Sequence, residues 1–486
     1  MWLFNNLKEK LLFFFVICLY IFICLAVLLN NITHYPSKKT QEYIPEIVSQ
    51  EQIVLAKNQI GYVYYLDNKK NIDEEEVSKF IRKHFQNSTC NLKKKSFYLL
   101  GKKIALISDS LPKGIIVRRE NIRYYPYGEI FAYPIGLSNG NIIFGLEVYN
   151  KKHALQISKS KNKQLNTTII FPLQYHLYEG AKKGLKNYRA KSIHGLIQNE
   201  TGEIVAMISL PNFDPNGDKT PTNTNNGVLY NIFEFGSTIK IFSFLLAVHK
   251  NLISKDTLFN IAQGAKIGKY SINDVGNRTG QMNFQEILRR SSNIGTVQIA
   301  EIIWRDIGEF YKIIMLGDLI KFDDIITAVP KIDYYKAPKY KYLSYCMGYS
   351  FSTGMLQVLR AFSSIFTGKI YNPSIIHTNI PKKPLQIIDF HNKKLILDVL
   401  LAISDTNPIL KKYKVFGKTG TARIIINGTY VKNLLNTFYI CSFMKNGKRY
   451  FMLLCMERPN SVVMEASGNV KIIAADIINN IMKTNL

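Results

Sequence analysis

Acidic residues are scarce in this chain. Asp and Glu number 35 against 63 Lys and Arg, which leaves a formal net charge of +28. Such a balance suits a nucleic acid, an anionic membrane surface or an anionic polymer as partner. The sequence holds no zinc-finger spacing, no Walker loop and no compact basic helix. It therefore points to no nucleic-acid partner, and the excess charge reads as lysine spread over solvated faces. Cysteine is also rare. Cys18 and Cys24 fall in an apolar N-terminal run, and Cys90, Cys346, Cys441 and Cys455 show no Cys-x-x-Cys spacing, which argues against a zinc ribbon or a redox motif. The eight histidines form no His-Glu-x-x-His pair, so neither a metal nor a cofactor is expected. Long apolar runs are missing everywhere except at the start of the chain.

That start is Leu11–Leu29, which carries no charge, glycine or proline. At 1.5 Å per residue a helix of this length covers about 28 Å, close to a bilayer core. A cleaved signal peptide has a shorter apolar core followed by a small-residue cleavage site, and Asn30–Ser37 offers none. Lys8 and Lys10 before the run favour an inside N-terminus, although His34, Lys38 and Lys39 weaken the asymmetry. The expectation is a short cytoplasmic tail (1–10), a transmembrane anchor (11–30) and a bulk of chain outside the cytoplasm, facing the periplasm from the bacterial cytoplasmic membrane.

The remainder has the composition of a globular protein long enough for two or three domains. From 31 to 165 the sequence is mixed and lysine-rich. Ile60–Leu66, Phe97–Lys103, Lys103–Ser108 and Ile115–Tyr125 read as strands, and Asp73–Phe85 as a helix with an acidic first turn. Nothing there carries a catalytic constellation, so this module reads as a non-catalytic pedestal. In the segment 166–486, Leu173, Leu177, Ala181 and Leu185 share a helix face. Ser192–Gln198 and Glu203–Ser209 flank a turn ending in Gly202. Near the C-terminus, Asn427-Gly428 and Asn446-Gly447 separate apolar runs, the strongest short hairpin signal. Val470, Ile473, Ile477 and Ile481 then recur at helical spacing. Strands at both ends with helices between them predict an α+β fold: an antiparallel sheet covered by helices, with Lys418–Thr421 on one of its strands.

Three motifs carry chemistry. Ser237 and Lys240 stand three apart in Phe233–Phe244, one turn apart on a helix face. A serine hydroxyl needs a base to take its proton, and a lysine held among apolar side chains can serve. Gly236 permits a sharp turn just before the serine, where free N–H groups could meet an oxyanion. Alone the pattern is weak, since Ser158/Lys161, Ser160/Lys163 and Ser442/Lys445 repeat it. Company downstream changes this: Ser291-Ser292-Asn293, then Lys418-Thr419-Gly420-Thr421. The order S-x-x-K, S-x-N, K-T-G marks serine acyl-transfer enzymes that handle D-alanyl peptides and β-lactams.

With Val415–Ala422 (VFGKTGTA), Thr201–Asn216, Tyr124–Gly128 with Pro134–Gly136, Gly145–Glu147 and Gly348–Gln357, most of the chain resembles a class B penicillin-binding protein. The resemblance implies a β-lactamase/transpeptidase-like domain on an elongated N-terminal pedestal with one N-terminal transmembrane helix. It implies peptidoglycan D,D-transpeptidase activity on D-Ala-D-Ala stem peptides, with β-lactams as inhibitors. Ser237 would be the acylated nucleophile, Lys240 its base, Ser291 a proton relay and Lys418 a source of positive potential. Asn293, Thr419, Gly420 and Thr421 would bind substrate, the N–H groups of Ser237 and Thr421 forming the oxyanion hole. Asn293 resembles the division type, whereas elongation-type relatives usually have aspartate there. A membrane glycan polymerase and division-complex proteins would be partners. Phe235 in place of the family's usual proline, and Phe351–Met355, depart from the pattern. The alternatives are an elongation-type transpeptidase, a membrane-bound β-lactam hydrolase or sensor, and a non-catalytic scaffold of a wall-synthesis complex.

Overall fold

Two Asn-Gly turns organise the C-terminal sheet. Asn427 and Gly428 have φ of 50° and 78°, and Asn446 and Gly447 have 50° and 74°. Two positive φ values in a row are what a tight hairpin between right-twisted strands requires. In the computed structural model these turns join Phe416–Ile426 to Thr429–Lys445, and Thr429–Lys445 to Lys448–Glu457. Residues 44–485 are described, apart from 70, 86–89, 95, 140–141, 218–220, 222–223, 275–279, 390–392 and 461–467. The tail and anchor expected at 1–30 lie outside them. Among the described residues no helix is long and apolar enough to cross a membrane.

The sheet is antiparallel throughout. Its order is Phe416–Ile426, Thr429–Lys445, Lys448–Glu457, Ser192–Asn199, Ile204–Leu210. Side chains alternate between its faces, as the pleat demands. Along one strand Tyr450, Met452, Leu454 and Met456 enter one cluster, with helices Phe171–Asn187 and Val470–Lys483. Phe451, Leu453 and Cys455 enter the other, with helices Lys240–His249 and Met355–Thr367. Both faces are covered, so Ile204–Leu210 is buried along its whole length.

The N-terminal part builds a second sheet around the long strand Val54–Asp67, which pairs with Phe97–Lys103 and Ile115–Tyr124. Helix Glu74–His84 covers it. Asp73 caps this helix, accepting from the N–H groups of Glu75 and Glu76, each at 3.0 Å. The strand expected at Lys103–Ser108 does not form. Pairing ends at Lys103, opposite Tyr62, and Ile107 N donates to the Tyr64 hydroxyl at 2.7 Å instead of to a ladder partner. Pro45–Leu486 holds together as one unit, and its largest core cluster runs from Ile47 and Leu55 to Leu196 and Phe235.

Where strand Ile115–Tyr124 adjoins helix Leu146–Lys152, charge is buried. Arg123 and Glu147 are 4% and 0% exposed and pair through two hydrogen bonds, Nε to Oε1 at 2.7 Å and Nη2 to Oε2 at 3.2 Å. Tyr125 donates its hydroxyl to the same carboxylate at 3.1 Å, and Asn150 donates from Nδ2 at 3.4 Å. Removing one member of such a pair leaves a buried charge without its partner. Glu147→Ala is expected to cost about 3–5 kcal/mol. Denaturant unfolding checks this, and a loss near zero would show that the junction does not depend on the pair.

Candidate active site

Every residue of helix Lys240–His249 from Lys240 to Val248 is buried, as fits a helix that is apolar nearly all round. Lys240 is its one buried ionisable side chain, with 0% of its surface exposed. Its Nζ donates to Asn293 Oδ1 at 2.8 Å and to the Ser291 carbonyl at 3.0 Å. The Ser292 carbonyl lies at 3.4 Å and Ser291 Oγ at 3.5 Å. The buried amine is thus satisfied by the second motif, from a different helix junction.

That junction is tight. Helix Phe284–Arg290 ends at Ser291, whose φ and ψ of 57° and 37° are left-handed. Ser292 then caps helix Asn293–Ile303, accepting from Gly295 N at 3.0 Å. A left-handed non-glycine residue costs about 1–2 kcal/mol, and strain of this kind gathers at functional sites. Here it brings Ser291 Oγ to 2.9 Å from Lys418 Nζ. Lys418 is 5% exposed and also donates to the Thr419 carbonyl at 3.1 Å.

Ser237 sits half-buried in the 3-10 turn Gly236–Thr238 that leads into helix Lys240–His249. This turn presses on the outermost strand of the sheet. Gly236 has φ of 52°, and a Cβ there would lie 2.6 Å from the Thr421 carbonyl oxygen. A Cβ on Gly420 would lie 2.5 Å from the Phe235 carbonyl oxygen. Backbone meets backbone, with no room for side chains, and Ser237 stands beside Thr421. The structure therefore gathers Lys240, Ser291, Asn293 and Lys418 into one hydrogen-bonded cluster. Ser237, Gly420 and Thr421 lie at the backbone contact, and Thr419 adds its carbonyl to Lys418. The other Ser-x-x-Lys pairs do not share this geometry. Lys161 and Lys163 are exposed, and Ser442 and Lys445 lie on a strand, where a spacing of three puts side chains on opposite faces.

Several residues around the site carry no motif. Asp274 accepts hydrogen bonds from the second motif. Tyr349 donates its hydroxyl to the Thr421 carbonyl at 3.1 Å, and burial pushes its phenol up to about 12. Glu234 accepts from Ser350 N at 2.7 Å and from the Tyr430 hydroxyl at 3.0 Å, tying the hairpin to the turn. Their only sequence signal is closeness to a motif, which Asp274 lacks.

A second serine has a histidine and a carboxylate in a row. Ser209 Oγ is 2.9 Å from His194 Nδ1, and His194 Nε2 is 2.7 Å from Glu457 Oε1. The Ser209 hydroxyl also accepts from Gly227 N at 3.0 Å. Ser209 and His194 are 3% and 4% exposed, so no substrate reaches them, and the row acts as a brace. Among the described residues no group of three or more His, Cys, Asp or Glu is placed to hold a metal ion.

Comparison with known proteins agrees with the order of the motifs. Residues 194–483 match the family described as penicillin binding protein transpeptidase domain. The chain is 29% identical over 364 residues to the peptidoglycan D,D-transpeptidase FtsI of Buchnera aphidicola subsp. Schizaphis graminum, covering 66% of this chain and 62% of that one. It is 26% identical over 272 residues to a probable peptidoglycan D,D-transpeptidase FtsI of Caulobacter vibrioides, covering 53% and 46%. Against the peptidoglycan D,D-transpeptidase FtsI of Escherichia coli K12 it is 23% identical over 362 residues, covering 66% and 60%. The chain thus spans less than two thirds of the length of each of these relatives.

Burial raises the Glu234 carboxyl above the usual range, outweighing the lowering by its bonds from Ser350 and Tyr430. An acid raised in the folded state contributes stability fully below its unfolded pKa and loses it as pH rises through the folded value. Glu234→Gln keeps the acceptor oxygen and cannot ionise. Its Tm is expected to exceed that of the wild type at mildly alkaline pH, with the gain fading below the ordinary glutamate range. A Tm difference that ignores pH would overturn this reading.

Proposed function

The chain belongs to the penicillin binding protein transpeptidase domain family, and on that premise we propose that it cross-links peptidoglycan stem peptides through an acyl-enzyme on Ser237. One observation carries the reading: Ser291 Oγ lies 2.9 Å from Lys418 Nζ and 3.5 Å from Lys240 Nζ, joining three motifs distant in sequence.

In the proposed reaction Ser237 Oγ attacks the carbonyl carbon of the penultimate D-alanine while its proton passes to Lys240. The oxyanion is met by the N–H groups of Ser237 and Thr421, donors of a kind worth about 3–4 kcal/mol each in such sites. As the C–N bond breaks, the leaving nitrogen of terminal D-alanine takes a proton through the Ser291 hydroxyl, beside Lys418. Asn293 holds the substrate's peptide amide, and Thr419 and Thr421 bind its terminal carboxylate beside Gly420. An amine of a neighbouring stem peptide then attacks the ester, a new amide forms, and Ser237 regains its proton.

The role we favour is septal synthesis during division. Asn293 supports it, since an amide can donate to and accept from substrate, whereas an ionised aspartate only accepts. The names of the relatives support it as well. In this reading 1–10 is a cytoplasmic tail, 11–30 a single membrane anchor, 31–165 a non-catalytic pedestal and 166–486 the transpeptidase domain outside the cytoplasm. A membrane glycan polymerase and division proteins are its partners.

A β-lactam copies the acyl donor and leaves a blocked ester on the same hydroxyl. Mass spectrometry after labelling with a fluorescent penicillin should place the adduct within Phe235–Lys250, and Ser237→Ala should abolish it. Lys240→Arg should acylate as poorly as Lys240→Ala, because arginine does not give up its proton in a protein. An adduct elsewhere sinks the nucleophile assignment, and acylation retained in the arginine variant sinks the base.

A fluorescent fusion of the full chain should line the membrane at midcell, and depletion should give cells that grow without dividing. A diffuse signal would contradict the anchor. Lateral localisation with rounded cells would transfer the role to elongation.

A further inference from the structure

We propose that Asp274 is a positioning residue that sets where Ser291 and Asn293 stand against the two lysines. The proposal rests on the transpeptidase reading above. Asp274 follows the small hairpin Ala265–Ile267/Tyr270–Ile272 and reaches the second motif from its backbone side. Its carboxylate accepts from Ser292 Oγ at 2.6 Å, from Ile294 N at 3.1 Å and from the backbone N–H of Asn293. The preceding residue joins in, since the Asn273 carbonyl accepts from Asn293 Nδ2 at 3.0 Å.

These contacts act on three things. The first N–H groups of helix Asn293–Ile303 have no partner within the helix, and Asp274 takes two of them while Ser292 takes that of Gly295. A carboxylate at this end also complements the helix dipole. The Asn293 amide is held with its nitrogen toward Asn273, so its oxygen is the atom offered to Lys240 at 2.8 Å. Ser291, left-handed between the two helices, has the residues after it pinned, which keeps its hydroxyl 2.9 Å from Lys418.

Losing Asp274 deprives three donors of their acceptor at once and frees Ser291 to relax its backbone. A displacement of about 1 Å in such a group is enough to slow a reaction about 100-fold. An ordinary helix cap has a different signature: it lowers Tm and leaves each folded molecule as fast as before.

The test uses the full-length membrane protein and a fluorescent penicillin, followed over time at several concentrations to separate initial binding from first-order acylation. For Asp274→Ala the acylation rate per folded molecule is expected to fall about 100-fold, with initial binding nearly unchanged. Asp274→Asn, which keeps one acceptor oxygen for the two N–H groups, should recover about a tenth of the wild-type rate or more. A wild-type rate in folded Asp274→Ala overturns the proposal, as does a loss confined to initial binding. If that variant does not fold, Ser292→Ala removes one of the three bonds to Asp274 together with the acceptor of the Gly295 N–H, and its unchanged rate would overturn the proposal equally. A wild type that takes no label, or a label that survives Ser237→Ala, fells the transpeptidase reading itself. Labelled wild type beside unaffected Asp274 variants fells this inference alone.

Discussion

The site depends on a single buried amine. Lys240 begins a helix whose other buried residues, apart from Ser243, are hydrocarbon, and it has no exposed surface. A charge or a strong donor in such a place is tolerated only where acceptors surround it. The chain meets that demand from one short stretch, the carbonyls of Ser291 and Ser292 with the amide oxygen of Asn293. The requirement of the core and the requirement of the chemistry are therefore the same, since satisfying the buried amine brings the second motif to the first.

The third motif arrives by a different force. Phe416–Ile426 is an outer strand, held on one side by ten paired positions with Thr429–Lys445 and on the other by bare backbone contact at Gly236 and Gly420. Packing of Phe235 on Phe438, with ring centroids 4.7 Å apart, anchors the turn to the neighbouring strand. Phe235 is also where the family pattern usually has proline. In this chain an aromatic ring buried at 0% exposure takes that place beneath the turn.

Much of this was legible in the sequence, for reasons that differ by residue. The hairpins were readable because Asn-Gly encodes backbone dihedrals locally, and Asn427-Gly428 and Asn446-Gly447 adopt the positive φ values that tight turns need. Helix Val470–Lys483 was readable from its buried Val470, Ile473, Ile477 and Ile481. Lys103–Ser108 misled because a short apolar run such as Ile104–Ile107 reports hydrophobicity and not a pairing partner. Ile104 and Leu106 are 46% and 55% exposed there, beyond the end of the ladder. Asp274 was invisible for a further reason. Its three bonds reach across 18 to 20 residues of sequence to a motif with which it shares no periodicity.

The row from Gly227 through Ser209 and His194 to Glu457 has a consequence for the neighbouring turn. It bolts residues just ahead of Phe233 to three strands of the sheet, while Gly420 fixes the backbone at Phe235 to a fourth. A segment clamped at both ends has little freedom to shift against the sheet. The dipoles on either side of Ser237 and Thr421 then form a frame whose geometry is settled when the protein folds. In the proposed reaction little reorganisation energy would remain to be spent, the condition under which fixed N–H groups stabilise a developing charge more effectively than water does.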